Sequence, residues 1–134
     1  MNKKLVLPSN LESIEKSVVE TENFAKEIGF SDDEIFAIDM AMRETVANAV
    51  KHGNKFDETK TVEIALSEVM NGLEIAVRDF GVGFSVEDVP DCTNPENLLK
   101  ASGRGILFMR NFMDEVEWLE AENGGTIVKM LKKR

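Results

Sequence analysis

The sequence predicts an α+β fold, a two-layer sandwich in which a mixed, mostly antiparallel sheet carries its helices on one face. Three observations lead there. Apolar residues that alternate with period two are grouped in hairpins, one around Asn71-Gly72 and one around Gly124-Gly125. Two long stretches of helical period, Ser9 to Gly29 and Ser31 to His52, stand next to each other with no strand between them. Strands grouped with strands and helices with helices favour antiparallel pairing and a single helical layer. The 134 residues, 43% of them hydrophobic, suffice for one core and are too few for two ordinary domains, so residues 1–134 are expected to form one unit.

Leu5 and Leu7 alternate with Lys4 and Val6 in a short opening strand that Pro8 ends. Ser9 and Glu12 then have capping-box spacing for a first helix running to about Ile28 and Gly29. Its apolar positions Leu11, Ile14, Val18, Ala25 and Ile28 recur every three or four residues, while Glu15, Lys16, Glu20, Glu22 and Lys26 take the other faces. Ser31 and Glu34 repeat the box, and Asp32 and Asp33 suit the positive end of the helix dipole, so a second helix is expected from about Asp32 to His52. Val62, Ile64 and Leu66 alternate, Asn71-Gly72 supplies a turn, and Leu73, Ile75 and Val77 alternate back to Asp79. Phe80 to Ser102 reads as a long loop with one helical turn at Pro95 to Lys100, a length that points to function inside a small domain. A third helix is expected from Gly105 to Met113, followed by a strand through Val116 and Trp118, the Gly124-Gly125 turn and a returning strand from Thr126 to Leu131.

Charge excludes some partners. Sixteen Lys+Arg against 25 Asp+Glu leave a formal charge of −9, a mean field that repels nucleic-acid backbones and anionic membranes. Only three consecutive apolar residues, Leu5 to Leu7, precede Pro8, too few for a signal-peptide core or a membrane span, so the expected location is the cytoplasm. The sole cysteine, Cys92, lacks an internal partner, and with a single histidine, His52, no Cys/His metal site can be built.

Three polar features remain after the core is assigned. Glu44, Asn48 and His52 recur every four residues on one face of the second helix, among Ala41, Val46, Ala47, Ala49 and Val50. Taken singly, these are a helix former, a tolerated polar residue and, with Gly53, a C-terminal cap. Together, Asn48 offers a hard oxygen for Mg²⁺ and Glu44 a proton acceptor on the same side. Asp79-Phe80-Gly81-Val82-Gly83 follows a strand, with glycines where a backbone must approach a ligand and a carboxylate able to accept from an exocyclic amine. Ser102-Gly103-Arg104-Gly105 opens a helix, joining unpaired N–H groups and a guanidinium in a place suited to phosphate, to which Lys51, Lys55 and Lys100 could add local positive charge. Neither Gly-x-Gly-x-x-Gly nor Gly-x-x-x-x-Gly-Lys occurs, and Asp79-Phe80-Gly81 has no His-Arg-Asp loop to make it a protein-kinase triplet.

A helical Glu-x-x-x-Asn, a strand-end Asp-x-Gly-x-Gly, a long loop, a Gly-x-Gly opening a helix and a late Gly-Thr, in this order, resemble the Bergerat-fold (GHKL) ATP-binding superfamily of gyrase, histidine kinases and mismatch-repair ATPases. The resemblance covers nearly the whole chain and is closest to the small stand-alone anti-sigma factor serine/threonine-protein kinases. It rests there on Glu44-Thr-Val-Ala-Asn48-Ala-Val-Lys-His52-Gly, Asp79-Phe-Gly-Val-Gly83-Phe and the run from Gly103 to Val116. The resemblance implies ATP and Mg²⁺ as ligands. It gives Asn48 to the metal, Asp79 to the adenine amine, Gly81 and Gly83 to the pocket floor, and Gly103, Arg104 and Gly105 to phosphate. His52 falls inside the nucleotide motif and Thr126 near the adenine, while Glu44 matches the carboxylate that orients or deprotonates the attacking hydroxyl. By the same resemblance the partners are a sigma factor and an antagonist protein phosphorylated on serine, and a homodimer is allowed. The alternatives are a nucleotide-binding interaction module that transfers no phosphate, against which Glu44 argues, and a structural domain whose glycines are only turns.

Overall fold

The computed structural model describes residues 1–81, 111–121 and 124–134. Five strands form one antiparallel sheet: β1 (Asn2–Pro8), β2 (Thr61–Val69), β3 (Gly72–Arg78), β4 (Glu115–Glu120) and β5 (Thr126–Lys133), in the order β1-β2-β3-β5-β4. Helices α1 (Leu11–Glu27) and α2 (Asp32–Asn48) lie between β1 and β2 in sequence and pack against each other. The alternation in the strands sends Leu7, Val62, Ile64, Leu66, Leu73, Ile75, Val77 and Met130 into one core with Val18, Phe24, Ile35, Ile38, Met42, Val46 and Val50 of the helical layer. The opposite parity of the central strands carries charge, with Lys4 against Glu63 and Lys129 against Glu74, each pair at 3.8 Å. The α+β two-layer architecture is as expected, and every strand pair in the described residues is antiparallel.

Local details differ from the expectation for identifiable reasons. The N-cap of α1 is Asn10, whose side chain accepts the Ser13 N–H at 3.0 Å, and not Ser9. Ser9 is buried and committed elsewhere, donating to the Lys60 carbonyl at 2.7 Å. Leu11 is 58% exposed; Ser13, Ser17 and Thr21 take the buried stripe instead. The Ser17 and Thr21 hydroxyls return to carbonyls of their own helix, Ile14 and Ser17, each at 2.7 Å, which lets small polar side chains occupy a buried helix face without an unpaired group. The second capping box is complete, Ser31 and Glu34 bonding each other's backbone N–H.

The α2 hydrogen-bond pattern stops at Asn48, and the chain continues through a π-helical turn, Ala49–Gly53, where a plain α-helix to His52 was expected. Insertions of this wide turn are rare and concentrate at functional sites. The first hairpin turns on Met70-Asn71, one residue before the expected Asn71-Gly72, and Gly72 pairs with Val69 as the first residue of β3. Gly72 is required by the neighbouring strand: a Cβ there would lie 1.9 Å from the Lys132 carbonyl oxygen. Of the expected third helix, Asn111 and Phe112 are helical; its beginning, the loop from 82 and Cys92 lie outside the described residues.

One acidic pair between the helices has a pH consequence. Burial and a hydrogen bond shared with Glu22 push the Asp39 carboxyl up to about 7, against the pull of Arg43 and Lys26, and its Oδ1 is buried without a partner among the described residues. A carboxyl raised in the fold holds its proton there, so its contribution is complete below its unfolded value near 4 and is lost as pH climbs toward 7. Asp39→Asn keeps a donor to Glu22 with no proton to lose. Its melting temperature should gain on the parent by a few degrees between pH 5 and pH 8, since solvent screening leaves at most about 1 kcal/mol of the effect. A constant offset across that range would show that the pair does not titrate there.

Candidate functional site

The site grows from the end of β3. Strand pairing ceases at Arg78, and the next residue, Asp79, is 7% exposed. Its backbone N–H donates to the Thr126 carbonyl at 3.0 Å, extending the β3–β5 ladder by one bond. Its side chain then turns back on the same corner: Oδ1 accepts from the Gly81 N–H at 3.1 Å and the Thr126 N–H at 3.3 Å. Burial is the largest influence on this carboxyl and raises its pKa, while the two backbone donors, Lys60 and Arg78 pull it back.

Three backbones close on Asp79 so tightly that no side chain fits between them. A Cβ on Gly53, at the end of the π turn, would sit 2.5 Å from Asp79 Oδ2. A Cβ on Gly81 would sit 1.7 Å from the Gly53 carbonyl oxygen, and one on Gly125 would sit 2.1 Å from the Asp79 carbonyl oxygen. Gly125 also has φ +91°, in the left-handed region open to glycine. The corner around the carboxylate is therefore main chain packed directly against main chain and against Asp79 itself, an arrangement that requires glycine at all three positions.

The predicted residues fall into four groups. Asp79, Gly81 and Thr126 are brought together by direct hydrogen bonds. Glu44 and Asn48 are both half-buried and stand one turn apart on α2, which remains α-helical through Asn48 and so preserves their common face. His52 is exposed and belongs to the π turn, beyond the α-helical register that linked it to Glu44 and Asn48. Gly83, Gly103, Arg104 and Gly105 lie outside the described residues. Among the described residues no group of three or more His, Cys, Asp or Glu is placed to hold a metal ion. Asn48 fits a Mg²⁺ that takes most of its ligands from phosphate and water, the usual arrangement for nucleotide-bound Mg²⁺.

Sequence reasoning missed Gly53, Asn54 and Gly125. Gly53 reads as a helix cap and Gly125 as half of a turn, and only their approach to Asp79 separates them from those roles. Gly125 gave no separate signal, because a Gly-Gly pair is itself a favoured hairpin turn. Asn54 carried none, because its partners lie 7, 26 and 45 residues away.

The sequence model of the histidine kinase-like ATPase domain matches residues 7–132. An anti-sigma F factor of Clostridium perfringens is 35% identical over 105 residues, covering 75% of this chain and 74% of that protein. Its counterpart in Anoxybacillus flavithermus is 35% identical over 106 residues, covering 75% and 70%. The crystal structure of the RsbU and RsbW domains of a Mycobacterium tuberculosis protein superposes with a TM-score of 0.73 at 18% identity, over 99% of this chain and 32% of that one, a likeness of fold. With the family match running from β1 into β5 and through Asn48, Asp79 and Thr126, the chain belongs to the histidine kinase-like ATPase domain family.

Proposed function

We propose that this protein is an anti-sigma factor type regulator that binds ATP with Mg²⁺, phosphorylates a serine on a small antagonist protein and switches between that protein and a sigma factor. The observation that carries the nucleotide reading is Asp79, a buried carboxylate on a floor of main chain, oriented by two backbone N–H groups. Anti-sigma F factors among the relatives support the partner class. Among the described residues no helix is long and apolar enough to cross a membrane, in keeping with a cytoplasmic partner.

Phosphoryl transfer asks a protein for positioning and charge stabilisation more than for covalent chemistry. The Asp79 carboxylate accepts from the exocyclic amine of adenine and sets the ring against the Gly81 and Gly125 backbones. Asn48 supplies an oxygen to the metal, and the metal, when bound, neutralises phosphate charge. Glu44, one turn earlier on the same face, aligns the serine hydroxyl and accepts its proton as the serine oxygen bonds to the γ-phosphorus and the bond to ADP breaks. The phosphate loop expected at Gly103, Arg104 and Gly105 belongs to the same proposal.

The test is ligand-linked stability. ATP with Mg²⁺ at 100 times its dissociation constant should add about 2.7 kcal/mol to unfolding. Asp79→Asn places an amide donor where the amine needs an acceptor, and should cost about 1–3 kcal/mol of ATP affinity in a folded protein. A parent whose melting temperature ignores ATP with Mg²⁺ would overturn the nucleotide reading; a folded Asp79→Asn with unchanged affinity would remove Asp79 from it.

A further inference from the structure

Three successive N–H groups leave the end of β3, and each finds a different acceptor. Asp79 donates to the Thr126 carbonyl at 3.0 Å, and Gly81 donates to Asp79 Oδ1 at 3.1 Å. Both stay within the site. The middle one, Phe80, donates at 2.8 Å to Oδ1 of Asn54, which lies beyond the sheet corner and is 1% exposed. Nδ2 of that amide donates to Ser9 Oγ at 2.7 Å and to the Thr61 carbonyl at 2.9 Å. Donors on one end and an acceptor on the other are both in use, which among side chains of this length only asparagine supplies.

Asn54 also fastens the π turn. Its N–H donates to the Ala49 carbonyl at 2.8 Å, and the Phe56 N–H to the Val50 carbonyl at 2.8 Å. The intervening Lys55 and Phe56 have φ of 52° and 59°, left-handed values that residues other than glycine keep only where their surroundings hold them. Immediately before Asn54 is Gly53, whose backbone abuts the Asp79 carboxylate. One buried amide thus ties the turn that walls Asp79 on one side to the peptide that follows Asp79 on the other.

We propose that Asn54 is a positioning residue for nucleotide selection: by holding the Phe80 amide it fixes the Asp79-Phe80-Gly81 corner in the orientation that lets Asp79 distinguish adenine. The inference rests on the nucleotide reading above and concerns a residue that touches no nucleotide itself. A loosened corner leaves Asp79 present and buried but free to rotate away from the amine, so selectivity is lost before the fold is.

The experiment compares ATP with ITP, which carries a carbonyl where ATP has the amine, by calorimetry on the full chain with Mg²⁺. Amide exchange at Gly81 and Thr126, the two donors to Asp79 Oδ1, is followed in the same proteins without nucleotide. Asn54→Ala should weaken ATP about 10-fold, the loss expected of one oriented polar contact, and ITP far less. It should also speed exchange at Gly81 and Thr126. Asn54→Asp keeps the acceptor for Phe80 and loses the donors, so it should retain the preference for ATP. Ser9→Ala removes another bond of the same network and should lower stability without altering the preference or the exchange. Asn54→Ser, which keeps a hydroxyl yet falls short of Phe80, gives the same reading if the alanine variant does not fold. Retention of the parent's preference and exchange rates in folded Asn54→Ala or Asn54→Ser would overturn the proposal. If the parent itself does not prefer ATP to ITP, the reading of Asp79 fails, and the exchange data alone decide whether Asn54 holds the corner. Equal acceleration by Ser9→Ala and Asn54→Ala would then overturn that as well.

Discussion

Replacing Gly125 with alanine should destabilise the protein by about 2–5 kcal/mol, whereas the same change at Gly124 should cost only about 1–2 kcal/mol. The two residues have the same φ, +91°, so the penalty for a Cβ in the left-handed region is common to both. Their surroundings differ. At Gly124 the nearest atom to an added Cβ among the described residues is the Gly81 carbonyl oxygen at 3.9 Å, an ordinary contact. At Gly125 the Asp79 carbonyl oxygen would be 2.1 Å away and its carbon 2.9 Å, both main-chain atoms that no rotamer change can move. Relief requires β5 to retreat from β3 at Thr126, where the Thr126 carbonyl and N–H bond the Asp79 backbone and side chain. Overpacking of this kind typically adds about 1–3 kcal/mol. Against a domain stability of about 5–15 kcal/mol, the Gly125 variant should melt well below the parent and lose ATP affinity through displacement of Asp79. Equal losses at the two positions in urea or thermal unfolding would mean that backbone conformation alone matters and that the approach of Asp79 is not tight.

The division between what could be read in the sequence and what could not follows the range of the interactions. Period-two alternation at Val62, Ile64, Leu66 and Leu73, Ile75, Val77 is local, and those side chains are all buried in one core. The Ser31–Glu34 box is local too, and both of its bonds form. The shift from Ser9 to Asn10 at the α1 cap is not local: Ser9 has the right chemistry for a cap, but Lys60 and Asn54 claim its hydroxyl from across the fold. The turn at Met70-Asn71 moved for a similar reason, since Gly72 answers to Lys132 on a neighbouring strand and not to the turn. Within the site, Asp79 was legible because a carboxylate at the end of an apolar strand has no packing role to explain it. Gly53 was not, because a glycine after a helix is already accounted for as a cap. The same holds for the Ser13, Ser17, Thr21 stripe, whose burial depends on hydroxyls satisfied inside α1, a compensation that hydrophobic periodicity does not register.

Replacing Glu44 with alanine should slow phosphate transfer to a serine of the antagonist protein by about 10²–10⁴-fold, the usual scale of general-base assistance, and leave ATP affinity within a few-fold. The argument is one of register. Helix α2 keeps its α-helical bonds through Asn48, so a residue four positions earlier projects from the same face, one turn, about 6 Å, nearer the helix start. The π turn that follows carries the chain toward Gly53 and Asp79, so Asn48 lies between Glu44 and the carboxylate floor along the chain. Glu44 is half-buried there, and the proposed contact with adenine is assigned to Asp79. Glu44→Gln separates its two possible duties: a glutamine still orients a hydroxyl but takes no proton, so transfer intermediate between parent and alanine would assign part of the effect to orientation. Single-turnover transfer and calorimetric ATP affinity, measured together for the three proteins, give distinct outcomes. Slow transfer with intact binding supports a catalytic carboxylate. Unchanged transfer reduces Glu44 to a helix residue, and no transfer in the parent with any serine-bearing partner, despite tight ATP binding, would make the protein a nucleotide-dependent interaction module. Joint loss of binding and transfer would place Glu44 among the groups around the metal, acting through Asn48 and not on the hydroxyl.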